Sequence, residues 1–204
     1  MPRPDVSEER RIQIIEAAMR VFARSGFQEA RMDDIVAETG LSKGALYWYY
    51  KSKDEIILSI MISMVDRELA GLEDLQADGR PASERLIEFT RMTVREFKRY
   101  TKLLPLFYEF YALAFRNKTV RKSLKGYLST YMEVLTPIVQ QGIDAGEFRA
   151  TNAREAALAI TSIIEGTTLL WVLDPGTVKL EKHIESSVRL LLDGLKVPGK
   201  KSAK

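Results

Sequence analysis

The chain of 204 residues has no cysteine and a single histidine, His183. The first absence excludes disulfide frameworks, thiolate zinc sites, iron–sulfur clusters and thiol nucleophiles, and the second removes most imidazole metal and triad chemistry. Glycine and proline are sparse, at 12 and 7 residues, which excludes collagen-like and low-complexity organisation. No run of 18 apolar residues occurs, and the segment Met1 to Arg10 is polar, without the apolar core of a signal peptide. The expectation is a cytoplasmic protein with no membrane partner. No paired carboxylates stand in a motif, so there is no catalytic constellation, and neither an enzyme nor a metal or cofactor site is expected. The net charge is only +3, compatible with a nucleic-acid partner without requiring one.

What is present is 46% hydrophobic residues, recurring at three- and four-residue spacing with no strand-like alternation. This reads as an all-α chain of about nine helices. The first starts after a Ser7 cap and buries Ile14, Ala18, Val21 and Phe22 on the way to Gly26. Two short helices follow, Met32 to Glu38 and Ser42 to about Tyr50. Ser52 and Glu55 stand at capping-box spacing before a fourth helix that connects onward to about residue 75. Glu73 to Pro81 reads as a loop or a frayed helix end. Ser83 suits the cap of a helix to Tyr100, and Pro105 the first turn of one to Phe115. A helix over 119–144 carries Pro137 inside it, which removes one backbone bond and predicts a kink between Glu133 and Pro137. Asn152 caps a helix to Asp174, and the last helix, 178–195, puts Leu180, Ile184, Val188, Leu191 and Leu195 on one side. The expected division is a first domain over 1–53, a second over 76–195, and a disordered basic tail over 196–204.

Thr39-Gly40-Leu41-Ser42 joins two short helices behind a longer amphipathic one, the form of a helix-turn-helix. Gly40 supplies a left-handed backbone, Leu41 plugs the corner, and Ser42 caps the second helix so that its first-turn amides face a phosphate. Lys43, Lys51 and Lys53 then surround four consecutive aromatics. Leu46 and Tyr50 are four apart and face inward, while Tyr47, Trp48 and Tyr49 cover directions left for solvent. Phenol and indole groups between lysines suit contacts to phosphates and thymine methyls.

The run Ile14-x-x-Ala17-Ala18-x-x-Val21-Phe22-Ala23-x-x-Gly26-Phe27, followed by Asp34-Ile35-Val36 and Gly40-Leu41-Ser42-Lys43-Gly44-Ala45-Leu46-Tyr47-x-Tyr49-Tyr50-x-Ser52-Lys53, resembles the tetracycline-repressor (TetR) family of bacterial transcription regulators. The match covers roughly the first quarter of the chain. It implies an all-α homodimer whose 1–53 domain binds double-stranded DNA and whose 76–195 domain dimerises, binds a small-molecule effector and so releases the DNA; a two-fold dimer suits a palindromic operator. Carried over by position, Ser42, Lys43, Gly44, Ala45, Tyr47, Trp48 and Tyr49 lie on the recognition helix and Lys53 reaches a phosphate. Arg31 stands where the family has a capping threonine. Arginine cannot cap, but it reaches phosphates or base edges, which leaves the start of that helix to Asp33 and Asp34. Residues 1–60 hold nine bases against ten acids, so placement rather than net charge must set any DNA contact. The stripe Arg91, Arg95, Lys98 and Lys102 reads as a solvated face.

Leu103 to Phe115 is apolar all round and reads as a buried central helix. Phe107, Glu109, Phe110 and Tyr111 from it, with Tyr127, Tyr131, Glu165 and Trp171, are the candidate lining of an aromatic pocket for an apolar or aromatic effector. The last two helices carry more apolar surface than one small domain covers, which suits a four-helix bundle across a two-fold axis. An activator or ligand-independent regulator on the same fold, a helical carrier or enzyme, and a nonspecific architectural DNA binder are the competing readings.

Overall fold

A computed structural model describes residues 6–69 and 73–197. Among these residues there are ten α-helices and one 3-10 turn, with no strand beyond a single bridge between Phe148 and Lys196. The helices are α1 (Val6–Glu29), α2 (Met32–Thr39), α3 (Lys43–Tyr49), α4 (Lys53–Leu69), α5 (Glu73–Ala77), α6 (Ala82–Arg99), α7 (Leu104–Arg116), α8 (Lys118–Asp144), α9 (Ala153–Leu173) and α10 (Leu180–Leu195). The count exceeds the expected nine because Glu73–Ala77, expected as a loop or the frayed end of the fourth helix, is a helix in its own right. The fourth helix is described only to Leu69 rather than to residue 75. Residues 70–72, and 198–204 of the basic tail, lie outside the described residues. Lys196 and Val197 are not part of a free tail: the Val197 amide donates to the Glu147 carbonyl at 3.3 Å, and Arg149 to that of Leu195 at 2.7 Å.

Among the described residues the chain forms two compact units, 6–66 with 100–125, and 67–99 with 126–197. This grouping is by contact and differs from the functional division into 1–53 and 76–195. In the first unit, α1 packs on α2 and α7. Ile14, Ala18, Val21 and Phe22 meet Ile35, Leu46, Tyr50, Ile56 and Ile60 in one core that also takes Leu106, Phe110 and Leu113 from α7. Helix α1 is described from Val6 and is broken near its end by Gly26 (φ 74°, ψ 164°). Helix α7 is not buried all round, since Phe115 is 84% exposed. Its apolar surface exceeds what this core covers.

In the second unit α10 packs against α6 and α9. Its buried face is Leu180, Ile184, Val188, Leu192 and Leu195. Leu192 is buried here, while the expected Leu191 is half-buried. Ser83 does not cap α6. The Glu147 carboxylate does, accepting from the amides of Ala82 at 2.7 Å and Ser83 at 3.0 Å and from the Ser83 hydroxyl. Gly142 lets this corner close: a Cβ there would stand 2.5 Å from the Phe148 ring and 2.8 Å from the Ala82 Cβ. Helix α8 runs on through Pro137. The Glu133 carbonyl, robbed of its partner by that proline, accepts from the Gln76 side chain of α5 at 2.9 Å. Arg85, 5% exposed, closes the C-terminal end of α5 by donating to the Leu75 and Gln76 carbonyls, and also donates to Gln141. Helix α9 is long and apolar enough to cross a membrane by length and composition, and one third of it is buried.

Candidate nucleic-acid interface

The turn between α2 and α3 has the expected geometry. Gly40 adopts φ 68° and ψ 10°, a left-handed conformation that a side chain would strain, and its amide closes α2 on the Val36 carbonyl. Two further bonds lock the corner: the Leu41 amide donates to the Thr39 hydroxyl at 3.1 Å, and Gln13 of α1 donates to the Thr39 carbonyl at 2.8 Å. Leu41 packs partly buried on the core. Ser42 caps α3 by accepting from the Ala45 amide at 3.1 Å. That amide is therefore satisfied internally and is not left for a phosphate.

Arg31 makes no side-chain cap. The Asp34 carboxylate accepts from the Arg31 amide at 2.7 Å, so α2 is held at its start by one half of a capping box, which leaves the exposed guanidinium outside the cap. In α4 the Ser52 hydroxyl accepts from the Glu55 amide at 3.3 Å, but the Glu55 carboxylate reaches the Lys51 amide instead of returning to Ser52.

Leu46 and Tyr50 are buried, which fixes the rotation of α3 and turns its other face outward. Ser42, Lys43 and Gly44 are exposed, Ala45 and Tyr47 half-buried, and Trp48 is 68% exposed. Gly44 and Trp48 lie one turn apart, as do Lys43 and Tyr47, so two adjacent stripes face solvent. Tyr49 is placed differently from its neighbours. It packs against the core and edge-on to Trp48 at 4.6 Å, with the Arg11 guanidinium 5.5 Å from its ring centre. Arg11 also lies 6.0 Å from the Tyr50 ring. No spacing rule pointed to Arg11, because a cation over a ring is made by tertiary packing of α1 on α3.

The bases around the turn are held in distinct ways. The Lys43 ammonium lies 2.7 Å from the Asp33 carboxylate, and that hydrogen bond holds its pKa above the usual lysine range. Arg20 and Arg24 pair with Glu38 and hold its carboxyl below the usual range, the Arg20 bond contributing most. Lys51 donates to the Tyr47 carbonyl. Lys53 donates to the Phe27 and Gln28 carbonyls at 2.7 and 3.0 Å, closing the end of α1, and keeps one N–H of its three. The distant stripe is neutralised as a solvated face would be: Arg91 pairs with Glu185, Arg95 with Glu88 and Lys98 with Glu181.

Residues 14–60 match the family described as bacterial regulatory proteins, tetR family, and residues 81–195 match the BetI-type transcriptional repressor, C-terminal family. The chain belongs to the TetR family of transcriptional regulators. It is 32% identical over 145 residues to the uncharacterized HTH-type transcriptional regulator YfiR of Bacillus subtilis (strain 168), covering 70% of this chain and 69% of that protein. Among solved structures, its fold is similar to a transcriptional regulator from Saccharomonospora viridis in complex with choline (TM-score 0.80, 19% identity, 91% and 96% of the two chains). It is also similar to FadR from Bacillus subtilis in complex with stearoyl-CoA (TM-score 0.74, 23% identity, 90% and 98%). A TetR-family chain is a ligand-responsive, DNA-binding transcriptional regulator and not an enzyme.

The eight residues expected to line an effector pocket do not fall in one compact unit. Phe107, Glu109, Phe110 and Tyr111 belong to the first, where Phe110 is core and Glu109 accepts from Gln28 at 2.7 Å. Tyr127, Tyr131, Glu165 and Trp171 belong to the second. There Tyr131 is buried edge-on to Phe89 at 5.7 Å and to Tyr127 at 4.8 Å, with the two hydroxyls 3.1 Å apart. Glu165 is half-buried on α9, and Trp171 lines a groove of about 570 Å³ beside Leu180 and Lys182.

Proposed function

We propose that this TetR-family regulator is a cytoplasmic homodimeric repressor that reads a palindromic operator with α3 and leaves it when a small-molecule effector with apolar or aromatic surface binds the 76–195 domain. The observation that carries the DNA assignment is the rotation of α3: burial of Leu46 and Tyr50 leaves Lys43, Gly44, Tyr47 and Trp48 facing outward behind a Ser42 cap. In this reading Lys43 and Arg31 contact phosphates, Tyr47 and Trp48 contact base edges or thymine methyls, and Ser42, Gly44 and Ala45 allow close approach of the backbone. Tyr49, held by Arg11, positions Trp48. Lys53 reaches DNA only through its remaining N–H.

Two-fold pairing is supported by leucines left in water: Leu158, Leu169, Leu170 and Leu173 on α9 and Leu190 on α10 are all at least 41% exposed. A bundle of α9 and α10 with their symmetry mates covers them, which favours a dimer surface over a membrane for α9. Trp171 and Leu180, which line the groove of about 570 Å³, support an effector with aromatic or apolar surface. The effector needs to favour the non-binding conformation by a few kcal/mol, with α4 as the covalent path out of the DNA-binding domain.

Fluorescence anisotropy on duplexes of the chain's own promoter region, across a salt series, tests the assignment. Lys43→Ala should weaken binding to every duplex and reduce the salt slope by about one, whereas Tyr47→Ala should also relax preference at one base pair by about 1–3 kcal/mol. Unchanged binding in both variants would place the interface elsewhere.

A further inference from the structure

Lys43 is the one base within α3, and the structure gives it an acid partner before any DNA arrives. Its ammonium lies 2.7 Å from the Asp33 carboxylate, and the two side chains are 63% and 67% exposed. Neither charge is buried, so the pair is not needed to rescue a desolvated ion. Asp33 is the second residue of α2, where the positive end of that helix favours a carboxylate, so the acid is held by the backbone at the edge of the turn. A carboxylate offers an ammonium what a phosphate offers: a localised negative charge and strong oxygen acceptors. The other bases nearby do not compete for this acid. Arg20 and Arg24 are on Glu38, and Lys51 and Lys53 are on backbone carbonyls.

We propose that Asp33 is an intramolecular stand-in for a DNA phosphate, holding Lys43 in the free protein and having to be displaced whenever Lys43 engages a DNA backbone. The inference rests on Lys43 being at the DNA interface. Its consequence is a cost that is the same for every base sequence, because phosphates carry none. Asp33 therefore damps the electrostatic part of binding that dominates nonspecific association. A DNA-binding domain with eight acids against nine bases is then understandable, since at least this acid is set against the base that binding needs.

The experiment uses the full chain and a mixed-sequence duplex of about three helical turns, with affinity read by anisotropy over a salt series. Asp33→Asn should tighten binding on the order of threefold, the scale of an exposed ion pair, and steepen the log–log salt slope by up to about one. In a Lys43→Ala background the same substitution should change nothing. Asp33→Ser, which keeps a residue suited to a helix start, should reproduce the effect if Asp33→Asn disturbs α2 in a circular dichroism melt. No gain in either single variant overturns the proposal. An equal gain with and without Lys43 also overturns it, because Asp33 then acts by general repulsion. If Lys43→Ala itself leaves affinity and slope unchanged, the failure lies in the interface assignment on which the inference stands.

Discussion

Replacing Glu147 by alanine tests how the second unit is tied together. The carboxylate accepts from the Ala82 amide at 2.7 Å, the Ser83 amide at 3.0 Å and the Ser83 hydroxyl, three donors at the start of α6. Loss of an N-terminal cap costs about 0.5–2 kcal/mol, and a hydrogen bond to a charged acceptor contributes about 1.5–3 kcal/mol where nothing replaces it. Glu147 is only half-buried and lines a cavity of about 630 Å³, so water recovers part of the loss. The net cost is about 2 kcal/mol. At 2–4 °C per kcal/mol for a chain of this size, the melting midpoint should fall by about 4–8 °C. Glu147→Gln retains one acceptor oxygen and should lose about half as much. Circular dichroism at 222 nm reads the midpoint, and hydrogen exchange at the Ala82 and Ser83 amides localises the loss. A fall under about 1 °C with unchanged exchange at those amides would refute the assignment of Glu147 as the cap of α6.

Leu170→Glu with Leu173→Glu places four carboxylates in the proposed bundle of each dimer, where each buried leucine contributes about 1.5–3 kcal/mol; the dissociation constant should rise at least about a hundredfold in light scattering after gel filtration. A wild-type chain that is already monomeric at micromolar concentration would remove the bundle. Acid should destabilise the protein through Glu185, whose carboxyl is held below its ordinary value of 4.5 by hydrogen bonds from Arg91 and then Arg189. A depressed native pKa means the stabilisation is complete above that ordinary value and is lost as pH falls through the lower native one. The melting midpoint of Glu185→Gln should therefore fall less than the wild type's between about pH 5 and pH 3, and parallel curves would show that the pair contributes nothing.

Local signals were legible wherever their partners lie within a few residues. The Gly40 turn, the Ser42 cap and the Asn152 cap, which accepts from the Arg154 and Glu155 amides, all appear as spacing predicted. The inward turn of Leu46 and Tyr50 followed from the same reasoning, since a step of four residues is one helical turn. Asp34 in place of an Arg31 cap was also readable, because a carboxylate three residues on can reach the amide that arginine cannot serve. The buried face of α10 was readable to within one position.

Long-range partners were not legible. Ser83 has the right chemistry for capping, yet α6 is capped by Glu147 from 64 residues away; the Glu55 carboxylate, which serves Lys51 four places back rather than Ser52, is the local exception. Pro137 predicts an orphaned carbonyl at Glu133 but not that Gln76 answers it. Lys53 sits where a phosphate contact was expected and is engaged by the end of α1, because the chain brings Phe27 back to the start of α4.

The order of residues by itself determined the all-α class, the helix-turn-helix and the inward turn of Leu46 and Tyr50, though not the core packing of Tyr49, because helical periodicity and caps depend on neighbours three and four places apart. Only the tertiary structure decided which charges are already engaged: Asp33 on Lys43, Glu38 on Arg20 and Arg24, Arg11 over Tyr49. Coulombic and ring contacts depend on distance through space, and that distance is set by how α1, α2 and α3 pack rather than by how far apart their residues stand along the chain.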